Sequence, residues 1–339
     1  MTQYCIAPFV RMFLTDFMIQ QCGFSRNTIR SYRDTLRQLL LFSRRHRKKS
    51  CTQLLVTDID AEMILRFLNH LETERANKPQ TRNQRLAAIR SFFEYIGSSE
   101  IELLDHSQKV TSIPFKRFKI APTGYLERDE MQRLLGQFTG QKSETALRHH
   151  ALLLFLYNTG ARAQEAADLR MNCVDLDFPG SARICGKGQK WRVCPLWQST
   201  VDAIKASLAS RSAVDINDPV FVNRYGAALT RFGIYYLVRK YAKTIETEVS
   251  SRVQSHVSPH TLRHSTAVHL LEAGVEVNVI RGWLGHASLE TTNRYAEINT
   301  KTKEKALRSC EIGALSDAGP HTQPNWKRDD DLLNWLRSL

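Results

Sequence analysis

The chain lacks any long hydrophobic run. Across its 339 residues, no uninterrupted apolar stretch approaches the roughly 18–20 residues that span a bilayer. Its opening, MTQYCIAPFVRMFLTDF, has no basic segment ahead of the apolar residues and carries Asp16, which is untypical of a signal peptide. These two absences predict a protein that has neither a membrane span nor a signal peptide.

Cysteine is also sparse, and its pattern excludes two kinds of site. The seven cysteines, at positions 5, 22, 51, 173, 185, 194 and 310, are dispersed, odd in number and form no C-x-x-C. This pattern predicts reduced thiols in a cytoplasm and excludes a disulfide framework or a cysteine zinc site. A glycine-rich phosphate-binding loop, internal repeats and low-complexity tracts are absent as well.

Acidic residues are in deficit. The chain has 34 Asp and Glu against 48 Lys and Arg, and the net charge of +14 favours a polyanionic partner. Residues 1–120 hold 20 Lys and Arg against 11 Asp and Glu, so most of the surplus lies in the N-terminal third, above all in RRHRKK at 44–49. Such a run is commonly a solvated helix end, but the phosphate chemistry indicated downstream favours contact with nucleic acid.

The C-terminal half contains six residues suited to phosphodiester chemistry, within four distinct strings. The strings are TGARAQEAADLR, GKGQKWRVCPL, SPHTLRHSTAVHLL and LGHASLETTNRY, and they contain Arg162, Lys187, His260, Arg263, His286 and Tyr295. Guanidinium groups bind phosphate oxygens bidentately, a lysine can protonate a departing alkoxide, and a tyrosine can hold a phosphate covalently. No carboxylate is among the six, so the set suits attack on a phosphodiester without a metal.

In these strings the chain closely resembles the tyrosine recombinases of the phage-integrase and XerC/XerD kind. The order Arg, Lys, His-x-x-Arg, His, Tyr matches, as does the nine-residue step from His286 to Tyr295. Glu165, three residues after Arg162, also fits the family's Arg-x-x-Glu. The catalytic resemblance covers residues 125–300. Four motifs in order are far more specific than an isolated HxLRH or GKG string.

The resemblance implies that Tyr295 is the nucleophile. It attacks the scissile phosphorus, forms a 3′-phosphotyrosyl link and frees a 5′-hydroxyl. A phenol has an ordinary pKa of about 10, so it needs a base or a strongly positive setting. His260 is expected to accept or orient its proton. Because the covalent link conserves the energy of the broken phosphodiester, we expect no cofactor.

The two arginines are expected to act on the phosphate. Arg162 and Arg263 bind the nonbridging oxygens and stabilise the negative charge of the transition state. Glu165 offers Arg162 an orienting ion pair, and Arg263 lies one helical turn from His260.

The remaining members of the set have narrower expected roles. Lys187 is expected to be the general acid for the 5′-oxygen, with Lys190 as the competing candidate, and His286 is expected to hydrogen-bond the phosphate. His260 and His264 have the i, i+4 spacing of helical metal ligands. Since no acidic or cysteine ligand accompanies them, we expect no metal and assign His264 to packing or helix capping.

The predicted fold is mainly α with a small β-sheet or hairpin in the catalytic domain, and the resemblance implies a two-domain, C-shaped clamp on DNA. The predicted parts are a helical core-binding domain at 1–108, a basic linker at 109–124, a tyrosine-recombinase catalytic domain at 125–312 and a C-terminal tail with a short helix at 313–339.

Four segments of the first domain show apolar residues at i, i+3, i+4 and i+7 spacing, which predicts amphipathic helices. They are FVRMFLTDFMIQ, NTIRSYRDTLRQLLLFSRR, AEMILRFLNHLETE and TRNQRLAAIRSFFEYIG. Ser25 or Asn27 is the predicted cap of the second helix, Asp60 of the third and Thr81 of the fourth.

Basic side chains recur on the polar faces of these helices and in the linker. A generic helical bundle would not require them. The residues predicted to contact DNA are Arg30, Arg33, Arg37, Arg82, Arg85, Lys116 and Arg117. The stretch from Asn27 to Tyr32 also resembles the NT-x-x-SY start of the family's DNA-clamping domains. For the linker string SQKVTSIPFKRFKIAPTG, which has no helical period, a plain solvated connection fits the composition equally well.

In the second domain, ERDEMQRLLGQF and HHALLLFLYNTG are predicted helices, the latter buried and ended by Gly160. ARICGKGQKWRVCPLW is a predicted β-hairpin with GKGQ at its turn, and further helices follow. In the tail, one helical face holds Leu332, Trp335, Leu336 and Leu339. We expect this tail helix to dock into the neighbouring protomer, with packing on its own domain as the alternative.

The resemblance also implies the partners. These are double-stranded DNA crossover sites, with two protomers on each site and four in the synaptic complex. The string WKRDDDLLNWLRSL resembles the tails of recombinases that small mobile elements encode in groups, which implies sister recombinases and a role in integration, excision or transposition. Two alternatives stay open: a type IB topoisomerase, which relaxes supercoils without partner exchange, and a DNA-binding accessory subunit.

Overall fold

The computed structural model describes residues 4–118, 124–186, 188–211, 213–245 and 257–285. The chain divides into two compact units, Met1–Ala121 and Pro122–Leu339. Both units are built mainly from helices, and the second also contains a small sheet. The prediction of a mainly α fold with a small sheet is therefore confirmed. The tail at 313–339 lies outside the described residues.

The first unit is a helical bundle. Its helices are α1 (Ile6–Met12), which continues as a π-helix over Phe13–Gln21, α2 (Arg26–Arg47), α3 (Ala61–Thr73), α4 (Pro79–Ser99) and α5 (Leu104–Thr111). Short 3-10 turns at Val56–Asp58 and Ile101–Leu103 precede α3 and α5.

Local capping residues fix where these helices begin. Ser25 caps α2 and Asp60 caps α3, each through a side-chain oxygen that accepts a backbone N–H three residues further on. The cap at Asp60 was predicted, and of the two predicted candidates for α2, Ser25 and Asn27, the structure has Ser25. The prediction for Thr81 is wrong: α4 begins at Pro79, with Lys78 as the N-cap. Proline suits the first helical position because its φ is already helical and it has no N–H to leave unpaired.

Aromatic rings fill the core of the first unit. Phe13, Phe67, Phe92 and Phe93 are at most 1% exposed. The ring of Phe13 meets that of Phe92 edge-on with centroids 5.3 Å apart, and Phe92 meets Phe93 in the same way at 5.6 Å. Such pairs add to the free energy of burial. The helical spacing that predicted α2, α3 and α4 therefore places their apolar faces inward and leaves the opposite faces to polar side chains.

Helix α5 runs to Thr111, so the first part of the segment predicted to lack helical structure is helical instead. Val110 is fully buried and Ile113 is 5% exposed. These apolar side chains hold the segment to the core of the first unit. Residues 113–118 then continue without regular structure.

The second unit contains both helices and strands. Its elements are α6 (Arg128–Gly136), α7 (Glu144–Thr159), α8 (Ala163–Ala167), β1 (Val174–Asp175), β2 (Ser181–Cys185), β3 (Trp191–Pro195), α9 (Gln198–Ala209), α10 (Arg231–Ala242), α11 (Pro259–Glu272) and α12 (Val277–Leu284).

Helix α7 runs through the core of this unit. Leu152, Leu153 and Phe155 are fully buried, so the helix is covered on several sides, as its apolar sequence predicted. It ends at Thr159 because Gly160 adopts the left-handed conformation, with φ of 59°. Within the described ranges, no helix combines the length and apolarity needed to cross a bilayer.

The predicted hairpin is confirmed. Strands β2 and β3 pair antiparallel, with Ser181 opposite Pro195 and Cys185 opposite Trp191, and β1 adds a third strand beside β2. Side chains alternate along β3: Cys194 is buried, whereas Trp191 and Val193 are 60% and 63% exposed. The GKGQ string therefore lies in the connection between the two strands.

Candidate active site

Arg162 stands at the junction between α7 and α8. The left-handed Gly160 turns the chain sharply here, and a Cβ atom at this position would collide with the side chain of Leu284 in α12. The turn leaves Arg162 as the N-cap of α8, where its backbone N–H donates to Oε2 of Glu165 at 3.0 Å. The TGAR-x-x-E string thus fixes both the backbone of Arg162 and a carboxylate beside it.

Glu165 is a buried carboxylate shared by two arginines. Its Oε1 accepts a hydrogen bond from Nη1 of Arg162 at 2.6 Å, and its Oε2 accepts one from Nη2 of Arg192 at 2.7 Å. The side chains of Glu165 and Arg192 are 5% and 7% exposed, and that of Arg162 is 33% exposed. Burial alone would raise the pKa of Glu165, but the hydrogen bonds and charges of Arg192 and Arg162 outweigh it and hold the pKa below its usual range. Glu165 therefore stays ionised and orients Arg162.

Arg263 reaches from α11 to the same junction. Its Nη1 donates to the carbonyl oxygen of Gly160 at 2.5 Å, and its Nη2 donates to that of Leu284 at 2.6 Å. The residue is only 3% exposed. Because Gly160 is two residues from Arg162, these bonds bring together two of the predicted arginines from distant parts of the sequence.

Helix α11 also presents His260, one turn before Arg263. A capping box between Ser258 and Thr261 fixes the start of this helix. Partial burial of the ring, together with the charges of Arg263 and Arg162, lowers the pKa of His260. A histidine whose pKa lies below its ordinary value of about 6.5 is neutral at neutral pH, so it can accept a proton.

The next histidine on α11 has a different setting. His264 is half-buried, and burial together with the charges of His260 and Arg263 lowers its pKa to about 4. Among the described residues, no three His, Cys, Asp or Glu side chains are grouped as a metal site.

Arg162 and His260 line one groove of about 440 Å³. Helix α10 forms another part of its wall with Arg231, Phe232 and Tyr235. Phe232 and Tyr235 are 70% and 47% exposed, and the guanidinium of Arg231 lies 4.6 Å from the Phe232 ring centroid. A groove that combines cations, a neutral imidazole and exposed aromatic rings suits a nucleic-acid backbone with its bases.

Lys187, His286 and Tyr295 lie outside the described residues, so their predicted roles stay predictions. Two glycines that precede them in the chain are described. Gly186 donates its N–H to the carbonyl oxygen of Lys190 at 2.8 Å across the hairpin connection, and Gly285 caps α12 with φ of 65°.

The arginines predicted on α2 for DNA contact form an exposed row: Arg30, Arg33 and Arg37. Arg33 pairs with Asp34 at 2.9 Å, and exposed pairs of this kind contribute little to stability and exchange readily. Arg117 is exposed as well. Contact of these residues with DNA stays a prediction.

The basic run at 44–49 partly serves the fold of the first unit. Arg47 pairs with Asp60 at 3.0 Å, and Lys49 pairs with Asp58 at 2.8 Å. These bonds tie the end of α2 to the turn that precedes α3.

The expectation that Arg82 lies on an exposed polar face is wrong. Arg82 is 8% exposed and its Nε lies 3.7 Å from the carboxylate of Glu72, which also binds Lys116 at 2.8 Å. Arg85 is half-buried and donates to Oγ1 of Thr35 at 2.8 Å. Both arginines were assigned to the polar face by helical period alone, but Glu72 on the neighbouring helix α3 supplies an acidic partner for Arg82.

Sequence reasoning missed Arg192 and the exposed face of α10. Arg192 stands two residues before the buried Cys194, so strand alternation placed it on the inward face of β3. An inward arginine requires a carboxylate or carbonyl partner, so the inward position of Arg192 was the sequence signal for a buried ion pair or hydrogen bond. For α10, the signal was the interleaving of basic and aromatic residues in RFGIYYLVRK.

Two family models match the chain. Residues 124–302 match the Phage integrase family, and residues 13–98 match the Phage integrase, N-terminal SAM-like domain. The putative integrase/recombinase y4rC of Sinorhizobium fredii is 35% identical over 337 residues, which is 98% of this chain and 98% of that protein. Tyrosine recombinase XerD of Halalkalibacterium halodurans is 33% identical over 83% of this chain and 90% of that protein.

Solved structures share the fold at lower identity. The XerH site-specific recombinase bound to its palindromic difH substrate, a post-cleavage complex, gives a TM-score of 0.66 at 23% identity and covers 84% of this chain and 80% of that one. The Tn1549 transposon integrase in complex with transposon right end DNA gives 0.66 at 13% identity and covers 89% of this chain and 99% of that one. At these identities the likeness concerns the fold alone.

Proposed function

Because the chain belongs to the phage integrase family of tyrosine recombinases and is a site-specific recombinase, we propose that it cleaves and rejoins DNA through a covalent 3′-phosphotyrosyl intermediate on Tyr295. The observation that carries this proposal is the convergence of three predicted catalytic residues. Arg162 and Arg263 meet at the Gly160 turn, and His260 shares a groove with Arg162.

In the cleavage step, the phenolic oxygen of Tyr295 bonds to the scissile phosphorus and the bond to the 5′-oxygen breaks. His260 accepts the phenolic proton, for which its lowered pKa keeps the ring neutral. Lys187 gives a proton to the departing 5′-oxygen, and His286 hydrogen-bonds the phosphate. Religation is the reverse reaction with a 5′-hydroxyl from another duplex, so no cofactor is consumed.

The arginines stabilise the charge that develops on the phosphate. Glu165 fixes Arg162 so that its guanidinium is oriented before DNA binds, and such preorganised donors are worth more than mobile ones. Arg263 is held at the same turn by bonds from two of its five N–H groups to backbone carbonyls, and with Arg162 it binds the nonbridging oxygens of the phosphate.

Double-stranded DNA crossover sites are the proposed partner. The exposed row of Arg30, Arg33 and Arg37 in the first unit and the basic, aromatic face of α10 in the second support this proposal. The net charge of +14 favours the same partner.

We assign to the protein the integration, excision or transposition of a mobile element. In this proposal two protomers occupy each site, four form the synaptic complex, and sister recombinases take part.

The tail helix docks into the next subunit. Deleting residues 326–339 is expected to leave binding to a half-site intact and to abolish cooperative occupancy of full sites. Undiminished cooperativity would return the tail to packing on its own domain.

The direct test uses a nicked suicide duplex built from the DNA that flanks the mobile element carrying the gene. The wild-type protein is expected to form a covalent adduct on this duplex. Tyr295→Phe, which removes only the phenolic oxygen, abolishes the adduct and leaves DNA affinity unchanged. Tyr225→Phe, a change of the same kind at a tyrosine that is 76% exposed, is the matched control and keeps the adduct. Robust relaxation of a plasmid that lacks the crossover site would instead favour a type IB topoisomerase.

A further inference from the structure

Arg192 is a buried cation on the inward face of β3. Its side chain is 7% exposed, and the residues on either side of it, Trp191 and Val193, point to solvent. Burying a guanidinium is costly unless hydrogen bonds and an opposite charge compensate it. The contacts of Arg192 therefore indicate what the buried charge holds together.

Its guanidinium joins two elements that are far apart in the sequence. Nη2 donates to Oε2 of Glu165 at 2.7 Å, and Nε donates to the carbonyl oxygen of Trp283 at 2.9 Å. The first bond leads through Glu165 to Arg162, because the same carboxylate accepts from Nη1 of Arg162. The second bond caps the last turn of α12, where a cation also interacts favourably with the helix dipole.

Two glycines pack directly against the same guanidinium. A Cβ atom added at Gly285 would lie 3.2 Å from both Cδ and Nη1 of Arg192. One added at Gly186 would lie 3.6 Å from Nη1 of Arg192 and 3.5 Å from Oε1 of Glu165. Gly186 immediately precedes Lys187, and Gly285 immediately precedes His286. Arg192 thus contacts the backbone that leads into two proposed catalytic residues and is linked by one carboxylate to a third.

We propose that Arg192 is a positioning residue, which holds Arg162 and the chain entering Lys187 and His286 in the geometry required for DNA cleavage. The inference rests on the proposed function of these residues. An arginine suits this role because two separate nitrogens of its planar fork, Nη2 and Nε, donate to the carboxylate and the carbonyl, whereas a lysine would have to reach both acceptors with a single nitrogen. Arg263 caps the neighbouring carbonyl of Leu284, so two arginines fix the end of α12.

The test compares Arg192→Met, Arg192→Lys and a matched control, Arg183→Met. Arg183 lies on the adjacent strand β2, is exposed and bonds only to the carbonyl oxygen of Asn172 among its described contacts. The measurements are the single-turnover rate of adduct formation on the suicide duplex, half-site affinity, and thermal unfolding. Hydrogen exchange of peptides covering residues 186–190 and 283–290 needs no DNA and reports on positioning directly.

Arg192→Met is expected to slow adduct formation by about 10²-fold, the usual effect of a misplacement near 1 Å, with half-site affinity unchanged. The loss is larger at about pH 6 than at about pH 8, because without Arg192 the burial of Glu165 raises its pKa and only Arg162 still opposes that rise. Arg192→Lys keeps the charge but not the fork, so its smaller loss does not change with pH. In both variants the two peptides exchange faster than in Arg183→Met.

The proposal is overturned if folded Arg192→Met matches Arg183→Met in rate at both pH values and in hydrogen exchange. If Arg192→Met does not fold, the test rests on Arg192→Lys. A wild-type rate of adduct formation together with wild-type hydrogen exchange in that variant overturns the proposal. Failure of the proposed function has a different signature. The wild-type protein then forms no adduct on Tyr295, while hydrogen exchange still shows whether Arg192 holds the two segments.

Discussion

The guanidinium of Arg263 donates a 2.5 Å hydrogen bond to the carbonyl oxygen of Gly160. This bond ties the turn before Arg162 to helix α11, which also carries His260. Gly160 itself ends the buried helix α7, so the cluster stands on the core of the second unit. The positions of these side chains are therefore set by packing of the core, and changes at the cluster affect both chemistry and stability.

Arg263→Lys is expected to reduce both activity and stability. A lysine offers one nitrogen in place of the two that bond to the carbonyls of Gly160 and Leu284, so at least one buried acceptor is expected to lose its partner, which costs about 1–3 kcal/mol of unfolding free energy. Weaker stabilisation of the transition state lowers adduct formation by about 10²–10³-fold. Urea unfolding and single-turnover cleavage measure the two effects. The control is Arg133→Lys on the surface of α6, and an Arg263→Lys protein that behaves like it contradicts the assignment.

Lys187→Ala tests the general acid. The variant is expected to cleave ordinary DNA far more slowly than the wild type. On DNA with a 5′-bridging phosphorothiolate the rate is largely restored, because sulfur leaves without protonation. Lys190→Ala is the matched control and slows neither substrate. Equal slowing of Lys187→Ala on both substrates moves the role elsewhere, with Lys190 as the first candidate.

The exposed arginines of α2 are expected to contribute to the salt dependence of DNA binding. Each phosphate contact adds roughly 0.9 to the slope of log affinity against log salt, so replacing Arg30, Arg33 and Arg37 by Gln lowers the slope by roughly 2–3. The mapped cleavage position stays the same. Replacing Arg66, Arg133 and Arg183 removes the same charge elsewhere and is the control. A slope that falls equally in both triple variants assigns the α2 row to the solvated face.

The pH profile of cleavage tests His260. Its pKa is lowered by partial burial and by the charges of Arg263 and Arg162, so the neutral ring persists to a more acid pH than in an ordinary histidine. The rate is expected to stay level as the pH falls from about 8 to 6.5 and to decline only below that. His260→Gln is expected to be slow and to lose this acid-side decline in rate, while His264→Gln keeps it. A decline centred at a pH above the ordinary histidine pKa of about 6.5 contradicts the role of His260 as base.

Much of the fold followed from local signals in the sequence. The period of apolar residues predicted α2, α3 and α4, and Ser25, Asp60 and Gly160 marked helix ends through side-chain capping and left-handed backbone. These signals act within a few residues, so they can be read from the string. The start of α4 was misplaced because Thr81 and Pro79 are both suitable near a helix start, and the fixed φ of proline decided between them.

The sequence predicted which residues lie at the candidate site, but not the residues that hold them in place. Motif order selected Arg162, His260 and Arg263, which lie together in the structure, and local spacing paired Arg162 with Glu165. The bond from Arg192 to Glu165 joins a strand to a helix 27 residues apart, and only the packing of the hairpin on α8 determines it. The cover of Arg82 by Glu72 likewise depends on how α3 packs on α4, which the helical period of one segment does not contain.

The central claim is covalent catalysis by Tyr295, and the covalent adduct itself tests it most directly. The adduct formed on a suicide duplex is digested with protease and nuclease, and the nucleotide-bearing peptide is sequenced by mass spectrometry. We predict that Tyr295 carries a 3′-phosphoryl nucleotide and that the released strand ends in a 5′-hydroxyl. A nucleotide on any other residue, or a link through a 5′-phosphate, would contradict the account.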